Sequence, residues 1–223
     1  MKKREELGKL MLEKLPRRYR IEREDVGEDA RLAKSGMVFL TESYRIEGLG
    51  HLCVMRMKAM LGLMKMETVV LSVMEKDLPL FNLDWVSAFG KQTQIAELYD
   101  TQLRPYPQDA LDAFAAIKAR DADLEEPKQQ KAHWYDDILY ACSYHKSGKG
   151  CAERLNAAAE SYIETYLTQA ETAPACDAEA KREKVCAFAE TLFREGGPAV
   201  DQVTKLFGPE TARRLIVRHM YGV

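Results

Sequence analysis

The sequence predicts an α+β fold, in which a central antiparallel β-sheet is flanked by helices as an α/β/α sandwich. Five β-rich runs with short turns between them occupy residues 37–104, and amphipathic helical patterns occupy residues 105–223. The short connections favour antiparallel pairing of consecutive strands, because parallel strands need long crossovers. A sheet followed by helices is an α+β arrangement. Without internal repeats or a low-complexity linker, we expect one domain over residues 1–223.

The first part of the chain combines one short helix with a charged segment. Residues 3–15 carry leucine and methionine at helical spacing, and we expect this helix to end before Pro16. Residues 17–34 are rich in charge and predict a connecting segment on the surface.

The five predicted strands are MVFLTESYRI (37–46), HLCVMRMKAML (51–61), ETVVLSVM (67–74), LDWVSAF (83–89) and KQTQIAELYD (91–100). In the second of them, strict alternation places Met55 and Met57 on one face and Arg56 and Lys58 on the other. The many methionines of this region suit an ordinary core or an apolar pocket equally well.

The helical half is divided by proline and glycine. Helices are predicted within residues 105–127, 134–146, 151–171, 176–197, 198–208 and 209–222. The second of these rests on the spacing of Trp134, Ile138 and Cys142. The following HKSGKGC stretch (145–151) is interpreted as a turn between two helices.

Composition predicts a soluble, cytoplasmic protein. The formal net charge is −2, which disfavours general attraction to nucleic acids or membranes, and every apolar run is too short or too charged to span a bilayer. The five cysteines are odd in number and contain no C-x-x-C pair, so reduced thiols are expected. The four histidines are scattered, so no metal site is expected.

Common cofactor motifs are also lacking. Gly48 and Gly50 are followed by Cys53 where a dinucleotide-binding motif needs a third glycine, and residues 145–151 do not complete a phosphate-binding loop. No G-x-S-x-G motif is found. The sequence therefore predicts neither a bound nucleotide nor a bound flavin.

One carboxylate lies in an otherwise apolar run. KDLPLFNLDWVSAFGKQ (76–92) surrounds Asp84 with leucine, phenylalanine and tryptophan. Asp84 is interpreted either as a functional acid or as the cap of a tight turn through Asn82 and Leu83, a position that aspartate often occupies.

Residues 64–97 and 183–221 resemble the ferredoxin-dependent bilin reductases. The resemblance rests on ETVVLSVM followed by DLPLFNLDWVSAFG, on IAELYDTQL and WYDDILYACSYHKSG, and on the closing VTKLFGPETARRLIVRHMYG. These motifs occur in the order of the family and cover about two thirds of the chain.

The resemblance implies a fold, an activity and a proton donor. Family members hold a linear tetrapyrrole between a central antiparallel sheet and helices. They reduce it with single electrons from a ferredoxin or flavodoxin and bind no metal or flavin. The resemblance assigns the proton-donating carboxylate to Asp84, and desolvation raises the pKa of such an acid.

Binding of the ligand carboxylates is assigned, partly through the resemblance, to basic and hydroxyl side chains: Arg56, Lys58, Lys91, Thr93 and Lys131. Arg56 is the first choice because its guanidinium forks onto a carboxylate. Each of these also fits a solvated surface position. Tyr140, Tyr144 and His145 fit either a ligand-lining helix or its core.

The chain departs from the family pattern at several points. Leu71 stands where some members carry a histidine, the Lys58–Ala59 region replaces a glutamate, the loop before Pro79 is shorter, and GGPAV (196–200) replaces a polar stretch. Two alternatives therefore remain beside the reductase: a non-catalytic tetrapyrrole- or haem-binding protein, and a reductase of another conjugated substrate. A basic patch for an acidic electron carrier is expected around Arg17, Arg18, Arg20 and Lys34.

Overall fold

Eight antiparallel strands form one sheet in the computed structural model, which describes residues 6–127 and 132–223. The strands are β1 (Ile21–Glu24), β2 (Arg31–Lys34), β3 (Met37–Ile46), β4 (Gly50–Ala59), β5 (Met64–Val73), β6 (Leu80–Ala88), β7 (Lys91–Tyr99) and β8 (Tyr144–Gly148). Their order in the sheet is β1-β3-β4-β5-β6-β7-β8, and β2 also pairs with β3. From β3 to β7 each strand pairs with the next, as short turns require.

Six α-helices accompany the sheet in the described residues. They are α1 (Leu7–Lys14), α2 (Gln108–Ala119), α3 (Ala152–Thr172), α4 (Ala178–Glu195), α5 (Pro198–Phe207) and α6 (Pro209–Arg213). A π-helical turn, Arg214–Met220, continues α6 toward the C-terminus. No helix in this part of the chain combines the length and the apolar character needed to cross a membrane.

The helices cover both faces of the sheet. One core joins α1, α2 and α3 to alternate sheet residues such as Val54, Leu71 and Leu83. The other joins α4, α5 and the C-terminal turn to residues of the opposite parity, such as Met55 and Val70. The α+β class and the α/β/α arrangement are thus confirmed.

The prediction of a helix over residues 134–146 is wrong. Trp134–Ile138 form a short 3-10 turn, and Tyr144–Gly148 form the edge strand β8, in which Ala96 pairs with Tyr144 and Thr93 with Ser147. The 145–151 stretch is therefore a strand end and a turn before α3. The apolar spacing over 134–142 imitated a helix, whereas pairing with β7 decided the structure.

Residues 17–34 are more ordered than predicted. They include β1 and β2, two four-residue strands that hydrogen-bond to different parts of β3. Both are mostly exposed, so their charged side chains carry no apolar periodicity from which a strand could be recognised. The strand β8 also lies outside the range 37–104 in which strands were expected.

Helix α1 is attached to the sheet through a buried carboxylate. Glu67 on β5 accepts hydrogen bonds from the backbone N–H groups of Leu7 at 2.8 Å and Gly8 at 3.1 Å. Arg56 on β4 donates to the same carboxylate at 3.2 Å. A Cβ atom on Gly8 would lie 2.5 Å from Val54 Cγ1, so only glycine permits this close approach. Glu67 therefore satisfies N–H groups that a helix N-terminus leaves unpaired.

In the turn between β6 and β7, Phe89 has a backbone conformation that is unfavourable for residues other than glycine. Phe89 and Gly90 have φ values of 51° and 78°, and the turn joins the paired residues Ala88 and Lys91. Two-residue hairpin loops with positive φ at both positions favour Asn-Gly. Phe89 is 69% exposed, so burial does not offset the strain.

We expect Phe89→Asn to raise the free energy of unfolding by roughly 1 kcal/mol, because asparagine tolerates the left-handed conformation. Urea denaturation monitored by circular dichroism measures the change. The control Phe89→Val removes the ring but keeps the strain and should give no increase. A loss of stability in Phe89→Asn would show that the ring itself stabilises the turn.

Candidate functional site

A cavity of about 580 Å³ lies between the sheet and the helices α4, α5 and the C-terminal turn. Apolar side chains form most of its wall, and those from the sheet include Met37, Phe39, Met55, Met57, Met64, Met66, Val86 and Ile95. The helical side contributes Phe188, Leu192, Val200, Val203, Ile216 and Met220. This volume falls within the range of roughly 300–1,000 Å³ typical of small-molecule sites.

Asp84 projects into this cavity from the middle of β6. The strand register pairs it with Thr68 on β5 and with Ile95 on β7. The Thr68 hydroxyl donates a hydrogen bond to Asp84 Oδ1, and Asn82 Nδ2 donates to Oδ2 at 2.8 Å. Asp84 lies within a regular strand, so the alternative in which it caps a tight turn does not apply.

A second carboxylate lies beside Asp84. Glu97 on β7 also borders the cavity and shares the Asn82 amide, whose Nδ2 lies 3.0 Å from Glu97 Oε2. The Tyr99 hydroxyl donates to the same oxygen at 2.6 Å. His145 Nε2 on β8 lies 3.0 Å from Oε1. Glu97 therefore has partners on three strands, and one of them is a histidine at the sheet edge.

The environments of the two acids separate their pKa values. Burial in the apolar wall raises the pKa of Asp84 to about 6, and the neighbouring Glu97 charge adds to this, while the Thr68 and Asn82 hydrogen bonds oppose it. Burial would also raise the pKa of Glu97, but hydrogen bonds from His145, Tyr99 and Asn82 outweigh it and lower that pKa. The proton of this pair therefore resides on Asp84.

Such an arrangement can deliver a proton to a bound ligand. A carboxylic acid with a pKa near neutrality is an efficient general acid when it lies within hydrogen-bond reach of its acceptor. Tyr99 and Tyr221 also line the cavity, but burial raises the pKa of both phenols far above 10, so they serve as hydrogen-bond donors. In the described residues, no three histidine, cysteine or acidic side chains converge on a point that would hold a metal.

The structure places two predicted ligand-binding residues away from the cavity. Arg56 lies on the opposite face of β4, where it bonds Glu42 at 2.7 Å as well as Glu67. Lys58 follows it on the same face and is exposed. The alternation predicted for β4 is confirmed, and that alternation is what separates both side chains from Asp84.

Two other predicted residues lie on the face that carries the cavity. Thr93 and Lys91 precede Ile95 on β7 with the same parity, so they extend the row of cavity-facing positions. Lys91 Nζ lies 2.9 Å from Glu125 Oε1. Lys131 falls outside the described residues. Contact between any of these side chains and a ligand stays a prediction.

Three residues of the site were not predicted from the sequence: Glu97, Thr68 and Asn82. His145 was predicted only as a helix residue. Strict alternation in KQTQIAELYD would have put Glu97 on the same face as Ile95. The contribution of His145 depends on β8, which was predicted as helix.

The structure also shows where the departures from the family pattern lie. Leu71 lies in the core on the opposite face of the sheet from Asp84, so Thr68 is the β5 residue beside the acid. Gly197, Ala199 and Val200 of the GGPAV stretch border the cavity and make that wall apolar.

The raised pKa of Asp84 has a consequence for stability. An acid whose pKa rises on folding, here from 3.8 to about 6, favours the folded state below pH 3.8, and this contribution is lost as the pH rises to 6. At pH 7 the folded protein therefore carries an unfavourable carboxylate. A shift of about two units corresponds to roughly 2–3 kcal/mol.

We expect Asp84→Asn to be more stable than the wild type by roughly 2–3 kcal/mol at pH 7 and nearly equal to it at pH 3.5. Urea denaturation of both proteins across this range measures the difference, and the subtraction cancels the other titrating groups. A difference independent of pH would contradict the raised pKa.

The fold of this antiparallel sheet between two helical layers is shared with solved proteins. One such structure is phytochromobilin synthase from tomato in complex with biliverdin, with a TM-score of 0.79. The match covers 97% of this chain and 82% of the tomato chain at 13% sequence identity. No family model and no curated protein sequence matches the chain. The fold expected from the resemblance to bilin reductases is therefore confirmed.

Proposed function

We propose that this protein binds a linear tetrapyrrole in the cavity and reduces it with electrons from an external ferredoxin or flavodoxin, with Asp84 as the proton donor. The observation that carries the proposal is an acid of raised pKa in the wall of an apolar cavity. The fold shared with a biliverdin-bound protein supports the class of ligand.

The cavity chemistry suits a large conjugated ligand. Methionine side chains on the sheet and aromatic side chains such as Tyr135 and Phe188 form adaptable apolar walls. Asp84 and Asn82 offer polar atoms at one place in the wall, where pyrrole nitrogen or lactam oxygen atoms can be bound. Addition of one electron to the ligand makes it more basic, and Asp84 then supplies the proton.

The propionate groups of the tetrapyrrole are expected to lie away from Asp84 and Asn82. The cavity lining, over the residues described, contains no lysine or arginine and includes two acids. Propionates are therefore expected to point away from Asp84 and Glu97, toward solvent and the row that Thr93 and Lys91 continue. This orientation places the polar tetrapyrrole core against Asp84.

A second candidate is a non-catalytic tetrapyrrole-binding protein. The observation that favours it is the hydrogen bond from the Thr68 hydroxyl to Asp84. A hydroxyl group positions the acid, but it does not ionise near neutral pH and so cannot return a proton to Asp84 after a transfer. Binding without reduction would identify this second function.

The test is a titration with biliverdin followed by visible absorption, and then anaerobic addition of a reduced ferredoxin system. We expect saturable binding and then loss of the conjugated absorption band. Asp112→Asn, on the exposed side of α2, is the matched control for Asp84→Asn and should behave as the wild type. Absence of any spectral change with biliverdin would contradict the proposal.

A further inference from the structure

One end of the sheet combines exposed apolar side chains, backbone strain and lysine side chains. The turns at this end are 35–36, 60–63 and 89–90, and the exit of β8 at 148–150 lies beside them because Gln92 pairs with Gly148. We call it the lysine end. It includes the strand termini that flank these turns.

Exposed apolar side chains concentrate at the lysine end. The large hydrophobic residues that are exposed in the described parts of the chain are Met60, Leu61, Leu63 and Phe89. All four lie in two adjacent turns, since β5 pairs with both β4 and β6. Leu61 is fully exposed. A cluster of this kind marks an interaction site, whereas single exposed apolar residues do not.

Backbone strain is found at the same end. Among the described residues, Ser35, Met60, Leu61 and Phe89 are the non-glycine residues with positive φ, between 51° and 54°. A non-glycine residue in this region is unfavourable unless something compensates for it. Three of the four are apolar or aromatic and exposed, so the turns present these side chains at a cost in conformational energy.

The chain segments that form the lysine end carry charge of one sign. Segments 34–37, 58–65, 87–92 and 148–150 contain five lysines, no arginine and no acidic residue. The lysines are Lys34, Lys58, Lys65, Lys91 and Lys149. Lys91 pairs with Glu125, and the other four form no ion pair within the described part of the chain. Lys58 and Lys65 are direct neighbours across β4 and β5, an arrangement that is unfavourable without an anionic partner.

We propose that the lysine end docks onto an anionic lipid surface, with the two apolar turns inserted among the headgroups and the lysines contacting lipid phosphates. The composition favours lipid over protein, because protein interfaces are enriched in arginine and depleted in lysine. Projecting apolar tips surrounded by lysine match the requirements of interfacial binding. The net charge of −2 gave the opposite expectation, because it averages over the whole chain.

This docking has a place in the proposed chemistry but does not depend on it. Met37 and Met64 lie at the lysine end and also line the cavity. The cavity wall nearest the lipid surface would therefore be apolar, which suits entry of a poorly soluble ligand.

Sedimentation with vesicles tests the proposal. We expect the protein to bind vesicles of phosphatidylcholine with about one third phosphatidylserine at about 0.1 M salt, and to be released as salt is raised. Pure phosphatidylcholine vesicles should bind it far more weakly. Lys58→Gln with Lys65→Gln should lower the partition coefficient about 30-fold. Arg20→Gln with Arg45→Gln changes the charge equally at the opposite end of the sheet, and should have a small effect.

Leu61→Asn with Phe89→Asn tests the apolar turns without loss of folding, because asparagine tolerates positive φ. We expect a fall in partition of at least about tenfold. Failure of the wild type to sediment with anionic vesicles, or equal sedimentation of these variants, would overturn the proposal. If vesicles are not bound and an acidic iron–sulfur carrier binds in a manner that Leu61→Asn with Phe89→Asn abolishes, this end is a protein interface.

Discussion

Asp84→Asn is expected to lower the rate of tetrapyrrole reduction by about 10²–10⁴-fold while it leaves ligand binding nearly unchanged. Asparagine matches aspartic acid in size and can still bond Thr68 and Asn82, but it has no acidic proton to transfer to a ligand. Single-turnover absorption measurements with a reduced ferredoxin system determine the rate, and titration with biliverdin determines the affinity.

Two neighbours of Asp84 allow its role to be separated from a structural one. The Thr68 hydroxyl lowers the pKa of Asp84 and the Glu97 charge raises it. Thr68→Val should therefore move the pH profile of reduction upward, and Glu97→Gln should move it downward. Shifts of opposite sign require that the profile report the pKa of Asp84.

A reduction rate that is unchanged in Asp84→Asn would assign the proton to another group. The nearest alternative is the pair formed by Glu97 and His145, whose imidazole side chain is 38% exposed at the sheet edge. Loss of binding in this variant would instead make Asp84 a ligand-binding residue.

Glu67→Ala is expected to lower the free energy of unfolding by about 3–5 kcal/mol. The Glu67 side chain is 4% exposed, and its loss leaves two N–H groups at the start of α1 without their acceptor and removes the buried carboxylate that pairs with Arg56. The same substitution frees α1 from the sheet. Urea denaturation with two spectroscopic probes measures the loss and reveals whether α1 detaches first.

The matched control for this prediction is Glu42→Ala. Glu42 bonds the same guanidinium but is 25% exposed, so its removal should cost less than about 1 kcal/mol. Glu67→Gln retains one acceptor and should fall between the two. A loss in Glu67→Ala no larger than that in Glu42→Ala would mean that packing alone holds α1.

Local pattern was sufficient for much of the fold. The strands β3 to β7 and the helices α3, α4 and α5 were predicted within a few residues, because each presents a regular apolar face and ends at glycine, proline or a short turn. The helix α2 lies inside its predicted range but ends eight residues earlier. Asp84 was also identified from the sequence, since a carboxylate within an apolar run is unusual.

The elements that were not predicted depend on partners that are distant in the sequence. The strands β1 and β2 are too charged to show periodicity, and β8 exists because it pairs with β7, about fifty residues earlier in the chain. The spacing of the apolar residues around Trp134 and Ile138 fitted a helix, although this segment forms a short 3-10 turn. Hydrogen bonding to an available sheet edge decides such segments, and no local propensity encodes it.

The sequence by itself determined the fold class, the central strands and one acid, because burial and chain geometry act on neighbouring residues. Only the tertiary structure decided which groups surround that acid. Register across the sheet brings Thr68 and Glu97 beside Asp84 and His145 beside Glu97, and alternation along β4 directs Arg56 to the opposite face. Strand register is fixed by pairing between segments far apart in sequence, so the environment that sets the pKa of Asp84 emerges only from the folded sheet.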